Sequence, residues 1–208
     1  MHISDGVLPP QTWAAGYAVA GTVVTYALAK KTEVSDVPKT AVVTAAVFVA
    51  SLIHVPAGPT CVHFMLNGLA GITLGWRAVP GVFIALVLQA LLFQHGGLTT
   101  IGVNTITMGF PTLAAYAIFR YGTRMRFRWK YTVFGGIAGG VAVALTTLLL
   151  FLTLLTIGED PAWMLAYVVI PHMVILGIEA VVSGAFAQFV SKVKPEILQG
   201  YRPKEVSG

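Results

Sequence analysis

The chain has 208 residues, of which 56% are hydrophobic and only 10% are charged. A soluble domain carries about 25% charged residues, so the composition excludes an ordinary soluble protein and predicts an integral membrane protein. The net charge of +5 reflects loops facing the cytoplasm, as argued below, and it does not indicate a nucleic-acid partner. The single cysteine, Cys61, excludes an intramolecular disulfide and a metal site built from cysteines.

Seven hydrophobic runs follow one another along the chain, and each is a candidate membrane crossing. A helix needs about 20 residues to span the hydrocarbon core; three of the runs are shorter than this and the last two are longer. The pattern predicts an all-α bundle of about seven transmembrane helices in a single membrane domain, residues 1–208. The runs cover roughly 12–29, 41–53, 64–76, 78–94, 103–120, 131–157 and 161–191.

The basic residues predict the orientation of this bundle. If the amino terminus is outside and each run crosses once, all 13 Lys and Arg residues lie on the inner side. The outer segments then hold Asp5, Glu159 and Asp160 but no basic residue. Because Lys and Arg accumulate in cytoplasmic loops, we predict an outer amino terminus and a cytoplasmic tail over residues 192–208. The expected location is a prokaryotic cell (inner) membrane.

The chain begins Met1-His2 and lacks the basic region of a signal peptide. The bulky imidazole at position two favours retention of Met1, so we expect a free terminal amine. That amine, the His2 amide nitrogen and the His2 imidazole can bind one ion in a flat chelate, which suits Ni(II), Cu(II) and similar ions. Many proteins begin with these two residues and bind no metal, so the pair alone leaves both interpretations open.

Four of the five histidines lie on the predicted outer side. The segment 54–63 contains two prolines and a glycine, which exclude a continuous helix. We expect Thr60 to cap a helix that starts near position 63. In the next outer segment, Gly96 and Gly97 should let another backbone approach closely. The four histidines are His2, His54, His63 and His95.

Three motifs resemble, in order, the CbiM/NikM family, the substrate-specificity (S) subunits of energy-coupling-factor (ECF) importers for cobalt and nickel. They lie at residues 1–8, 56–63 and 89–104, so the resemblance covers nearly the whole chain. Two departures are present: Cys61 stands where serine is more usual, and His95 stands where an acidic or other polar residue is common.

The resemblance implies a metal site of four nitrogens, supplied by the Met1 amine, the His2 amide, the His2 imidazole and the His63 imidazole. Ni²⁺ or Co²⁺ is then the bound substrate, without an organic cofactor, and residues 1–11 form an extracytoplasmic metal-binding segment. The sequence leaves the choice between the two metals open. His54 and His95 are less favoured metal contacts. Candidates to orient the ligands by hydrogen bonds are Ser4, Thr60, Gln94 and Asn104.

His172 and Glu179 are seven residues apart in the last run, so they share one helix face. A carboxylate inside the membrane is costly and indicates a function by default. The favoured interpretation is a paired residue that stabilises the bundle interior. The alternative is a coupling or proton-linked role during metal release.

No P-loop and no His-Glu-x-x-His motif occur, which argues against an ATPase or a metalloprotease. The resemblance therefore implies partners within the lipid bilayer and at its inner face: a transmembrane coupling subunit, a pair of cytoplasmic ATPases and sometimes a small accessory membrane subunit. Two alternatives stay open, namely an ECF-type vitamin-binding subunit and a metal-permeable facilitator.

Overall fold

The computed structural model describes residues 2–30, 33–57 and 60–201, which form helices and one two-stranded hairpin. A 3₁₀ turn covers Gly75–Arg77, a π-helical turn covers Leu165–Val169, and a second 3₁₀ turn covers Pro195–Ile197. The strands are β1 (His54–Ala57) and β2 (Thr60–His63). The helices are α1 (Pro10–Leu28), α2 (Asp36–Leu52), α3 (Asn67–Leu74), α4 (Ala78–Phe93), α5 (Ile101–Gly122), α6 (Lys130–Thr156), α7 (Pro161–Met164) and α8 (Ile170–Val193).

Four segments of the described chain are long and apolar enough to cross a membrane. They are Asn67–Phe93, Ile101–Gly122, Lys130–Thr156 and Pro161–Val193. The predicted class, a mostly helical multi-pass membrane protein, is therefore confirmed. The number of seven crossings and the outer amino terminus stay predictions, because α2, for example, has 17 residues and is shorter than the roughly 20 that a full crossing needs.

The chain reverses between α3 and α4. Gly75 adopts φ 60° and ψ −126° there, a conformation that favours glycine. The adjacent Arg77 forms an ion pair of 2.5 Å with Asp36 at the first residue of α2. By contrast, His63 before α3 and His95 after α4 lie together, with ring centroids 5.8 Å apart. The two helices therefore leave one histidine cluster and return to it.

The segment between α2 and α3 corrects one sequence prediction. Residues 54–57 and 60–63 pair as antiparallel strands, and Thr60 lies in β2 rather than at a helix cap. The next helix starts only at Asn67. The β-branched residues of the two strands favour this extended backbone, as the prolines do. Gly58 and Pro59, which we expected to interrupt the segment, lie outside the described residues.

Glycines allow three helices to meet behind the hairpin. A methyl group at Gly68 of α3 would lie 2.4 Å from the Gly139 Cα of α6. One at Gly139 would lie 2.6 Å from the Glu179 carbonyl oxygen of α8. The space at both positions is too small for any side chain. The glycines therefore allow the backbones of α3, α6 and α8 to pack directly against one another.

The described part of the predicted tail packs on the base of α3. The Gln199 backbone N–H donates to the Ile72 carbonyl at 2.8 Å, and its side-chain amide donates to the Thr73 carbonyl at 3.0 Å. These bonds occupy carbonyls that the short helix leaves free at its end. Residues 202–208 of the tail lie outside the described residues, and its cytoplasmic location stays a prediction.

Candidate metal centre

The hairpin gathers three potential metal ligands on one face. Side chains two residues apart on a strand point the same way, so Cys61 and His63 are neighbours. His54 lies directly opposite His63 in the antiparallel register, and cross-strand partners share a face. The paired strands, where the sequence predicted an irregular segment leading into a helix, thus bring these side chains together.

The amino-terminal segment is held against this face by its backbone. The Asn104 side-chain oxygen accepts from the Ile3 N–H at 2.9 Å, and its amide donates to the Ile3 carbonyl at 3.1 Å. The Thr100 hydroxyl donates to the same carbonyl at 2.7 Å. The Thr60 hydroxyl donates to the His2 carbonyl at 3.0 Å. Helix α5 and strand β2 therefore fix the position of His2 from two sides.

A second anchor lies at Asp5. Its carboxylate accepts hydrogen bonds from the backbone N–H groups of Leu98 at 3.0 Å and Thr99 at 2.9 Å. A methyl group at Gly97 would lie 2.1 Å from the Asp5 carboxyl carbon, and one at Gly96 would lie 3.2 Å from the His2 Cβ. The expectation that these glycines admit another segment is confirmed.

His2 and His63 meet in the interior formed by these contacts. Their exposed fractions are 1% and 2%, and their ring centroids lie 4.6 Å apart. One ligand atom from each of His2, Cys61 and His63 can be chosen such that all three lie within 4.8 Å of one another. Both ring nitrogens of His2 and Nε2 of His63 have no hydrogen-bond partner within the described part of the chain. Buried, unpartnered nitrogens of this kind are available for an ion.

The imidazoles are in the protonation state that a metal requires. Burial lowers the pKa of His63 to about 4, and burial together with the neighbouring His63 lowers the pKa of His2 well below its usual value. Both rings are therefore neutral at pH 7. The His63 Nδ1–H donates to the Phe64 carbonyl at 2.6 Å, which leaves the lone pair on Nε2 for a ligand.

Cys61 is the functional candidate that the sequence analysis missed. A single cysteine excludes only a site built from several cysteines. Cys61 lies among histidines and is 6% exposed. Burial alone raises the pKa of its thiol, yet nearby positive charge and the interaction with His63 outweigh this and lower the pKa to about 6. The signal that could have indicated Cys61 is the Cys-x-His spacing, which places both side chains on one face if the segment is extended.

The other predicted residues fall into two groups. Thr60 and Asn104 contact the backbone of His2 and Ile3 rather than an imidazole. Ser4 is half-buried and Gln94 is exposed at the end of α4; among the described residues neither side chain bonds to His2 or His63. The tautomer of His63 is set instead by the next carbonyl along its own chain.

His54 and His95 extend the cluster outwards. His54 is exposed and His95 is half-buried, and their rings lie 4.0 Å apart between centroids. The His95 ring lies 4.5 Å from the His2 ring, and its Nε2 is 3.0 Å from the Cys61 Sγ.

Glu179 and His172 are both buried in α8. The Glu179 carboxylate accepts from the backbone N–H groups of Met65 at 2.5 Å and Leu66 at 2.9 Å. Leu66 has a left-handed conformation with φ 50°, so the carboxylate holds a strained link between His63 and α3. His172 Nδ1 donates to the Val168 carbonyl at 2.5 Å, within the π-helical turn.

A multi-pass helical membrane protein with a buried cluster of histidine and cysteine ligands defines a class, that of membrane proteins equipped to take up a transition-metal ion. Comparison with known sequences identifies the group within this class. The chain belongs to the CbiM family, described as the cobalt uptake substrate-specific transmembrane region, whose profile matches residues 2–197. It is therefore a component of a cobalt or nickel transport family and not of an enzyme family.

For several relatives the similarity extends over nearly the full length of both chains. A putative metal transport protein of Haemophilus influenzae is 33% identical over 95% of this chain and 97% of its own length. A putative cobalt transport protein, CbiM 1, of Methanocorpusculum labreanum is 36% identical over 96% and 92%. The crystal structure of a transition metal transporter superposes with a TM-score of 0.79 at 28% identity, covering 93% of each chain.

Two further relatives are fusions with another transport component. They are the putative fused cobalt transport protein CbiMQ of Methanocorpusculum labreanum, 31% identical over 95% of this chain and 36% of its own length, and the fused nickel transport protein NikMN of Rhodobacter capsulatus, 37% identical over 60% and 38%. Such fusions indicate that members of the family work beside other components in a membrane complex.

Proposed function

We propose that the chain is the substrate-binding subunit of an ATP-driven ECF importer, and that it captures Ni²⁺ or Co²⁺ at the outer face through the Met1 amine, His2 and His63. One observation carries the proposal. Both ring nitrogens of His2 and the Nε2 of His63 are buried and have no hydrogen-bond partner among the described residues, while Asn104 and Thr100 hold the adjacent backbone in place.

The ring geometry supports two imidazoles on one ion. With metal–nitrogen distances of about 2.0–2.1 Å, two imidazoles at a right angle have ring centroids about 4.5 Å apart. The centroids of His2 and His63 are 4.6 Å apart. The amine and the His2 amide would complete a flat four-nitrogen site, which favours late first-row ions over ions that prefer oxygen.

The proposed subunit binds the ion, and its partners supply the energy. Residues 1–11 close over the metal, since Ile3 and Asp5 are already tied to α5 and to the turn before it. The chain has no P-loop, so a cytoplasmic ATPase pair would hydrolyse ATP. A transmembrane coupling subunit would transmit the resulting conformational change to this chain. The names of the fused relatives support such an assembly.

The test is an extension of the chain by a few residues ahead of Met1, compared with the same residues appended after Gly208. The first change removes the free amine from the chelate, and the second leaves it intact. We expect purified wild-type protein to bind one Ni²⁺ in a yellow, diamagnetic complex. The amino-terminal extension should abolish this complex and uptake in cells, and the carboxyl-terminal one should not.

Two outcomes would contradict the proposal. Uptake that survives the amino-terminal extension would show that the amine is not a ligand. Metal flux into vesicles that contain the chain without ATPase partners would identify a facilitator instead.

A further inference from the structure

Cys61 belongs to two groups of ligands at once. On its inner side it lies with His2 and His63, since one ligand atom from each of the three is within 4.8 Å of the others. On its outer side its Sγ is 3.0 Å from the Nε2 of His95. The His95 ring in turn lies against the ring of exposed His54, with 4.0 Å between centroids.

The Cys61–His95 distance fits two ligands of one ion. With metal–sulfur and metal–nitrogen distances of about 2.3 and 2.0 Å, ligands at a right angle lie about 3.1 Å apart, and tetrahedral ligands about 3.5 Å apart. The observed 3.0 Å therefore needs little movement to receive an ion. The buried Nδ1 of His95 has no partner among the described residues, so its ring can turn without losing a hydrogen bond there.

The exposure of the ligands falls steadily towards the interior. His54 is exposed, His95 is half-buried, and Cys61 is 6% exposed. His2 and His63 follow at 1% and 2%. An ion from solution thus meets His54 and His95 before it reaches the inner nitrogens, and Cys61 lies within reach of both groups.

We propose that Cys61 and His95, with His54 at the surface, form an outer receiving site for a late first-row cation, which then passes to His2 and His63 by ligand exchange on Cys61. The inference rests on the proposed function and adds a second site to it. On arrival the ion is bound by the sulfur of Cys61 as a thiolate. A bond from the ion to an inner imidazole forms before the bond to His95 breaks. The bond from the ion to Cys61 breaks last.

The experiment uses Co²⁺ as the probe, because a thiolate ligand gives Co²⁺ a charge-transfer absorption that nitrogen ligands do not. Full-length protein in detergent is mixed rapidly with Co²⁺. In the wild type this absorption should rise first and then decay as the ion moves inwards. In Cys61→Ser and in His95→Asn it should be absent, and loading should be about tenfold slower with the final stoichiometry unchanged. Val55→Ala, on the opposite face of β1, is the matched control and should behave as wild type.

A variant without the two inner histidines tests the receiving site independently of the proposed function. In the double variant His2→Asn, His63→Asn the ion cannot move on, so the charge-transfer absorption should remain stable, and adding Cys61→Ser should remove it. An absorption that never develops in the double variant, or wild-type loading without any transient, would overturn the receiving site while leaving the inner site intact. An absorption that persists in the loaded wild type would overturn the transfer step. Failure of wild-type protein to bind Co²⁺ or Ni²⁺ would instead overturn the proposed function.

Discussion

Asn104 bonds both backbone polar groups of Ile3, and it is the one side chain that accepts from the Ile3 N–H among the described residues, so it contributes strongly to the position of the preceding His2. Residues that hold a ligand in place typically change metal affinity by about 10–100-fold when they are lost. We expect a decrease of that size in Ni²⁺ affinity for Asn104→Ala, measured by competition with a chelator.

The matched control for this change is Asn67→Ala. Asn67 is also buried, but its amide donates to the Thr146 hydroxyl at 3.1 Å and to the Met65 sulfur at 3.8 Å, not to the amino-terminal segment. It should lower thermal stability and leave metal affinity nearly unchanged. Equal losses of affinity in both variants would contradict a specific role for Asn104.

The lowered pKa of His63 predicts how the stability of the metal-free protein depends on pH. Between about pH 4, the folded pKa, and about pH 6.5, the ordinary value, the unfolded chain binds a proton that the folded chain does not. The free energy of unfolding should therefore fall as the pH is lowered through this window, by about 1.4 kcal/mol per unit for a fully buried group.

Thermal unfolding of metal-free protein at several pH values measures this effect. Above the window His63 contributes no pH dependence, because it is neutral in both states. His63→Asn should give a shallower decline than wild type. An identical slope in the two proteins would show that His63 is not kept neutral by burial.

The residues of the site could be predicted only in part. His2 and His63 were predicted from the chelate and from the resemblance, because those features are local in sequence. Cys61 was missed because its relation to His63 depends on a strand, whereas the sequence predicted an irregular segment leading into a helix near position 63. The role of Asn104 towards Ile3 depends on a contact 101 residues away in sequence, which no local pattern records.

At the scale of elements, the junction between β2 and α3 depends on a carboxylate from α8. Glu179 accepts both hydrogen bonds of the Met65 and Leu66 amides. Glu179→Ala leaves two buried N–H groups without partners, and we expect a loss of about 1–3 kcal/mol in stability together with weaker metal binding. The surface variant Glu196→Ala should show neither effect in thermal unfolding and metal titration.

Glu179→Gln separates the two roles expected from the sequence. The glutamine oxygen can still accept both hydrogen bonds, but it cannot release or take up a proton. If the residue only positions the backbone, metal binding and uptake should both stay close to wild type. Normal binding with lost uptake would support the coupling or proton-linked role instead.

The helices were predicted closely and the segments between them were not. Apolar runs predicted α5, α6 and the segment from α7 to α8 to within a few residues, because burial in lipid requires a long continuous apolar stretch. Prolines in the segment 54–63 excluded a helix but did not predict the register of β1 and β2. The contact of β2 with the amino-terminal segment, from the Thr60 hydroxyl to the His2 carbonyl, joins residues 58 positions apart, which no local pattern records.

For the whole molecule, the reversal between α3 and α4 determines how many times the chain crosses the membrane and on which side its loops lie. If these helices are separate passes, four passes lie between the α1–α2 loop and the α5–α6 loop, and both loops face the same side. If Asn67–Phe93 is one pass, three lie between them and the loops face opposite sides. The ion pair of Arg77 with Asp36 favours separate passes, because it places the α3–α4 turn beside the start of α2.

Single cysteines in a Cys61→Ser background test this arrangement. Val34→Cys, at a position 88% exposed, and Arg124→Cys, also exposed, should both react with a membrane-impermeant maleimide only after permeabilisation. Glu159→Cys should react in intact cells, since the basic residues predict that side to be outside. Labelling of Val34→Cys and Arg124→Cys from opposite sides would show a single pass. Labelling of both from outside would keep the separate passes and reverse the orientation, which would place the histidine cluster on the cytoplasmic side, where an importer could not load it.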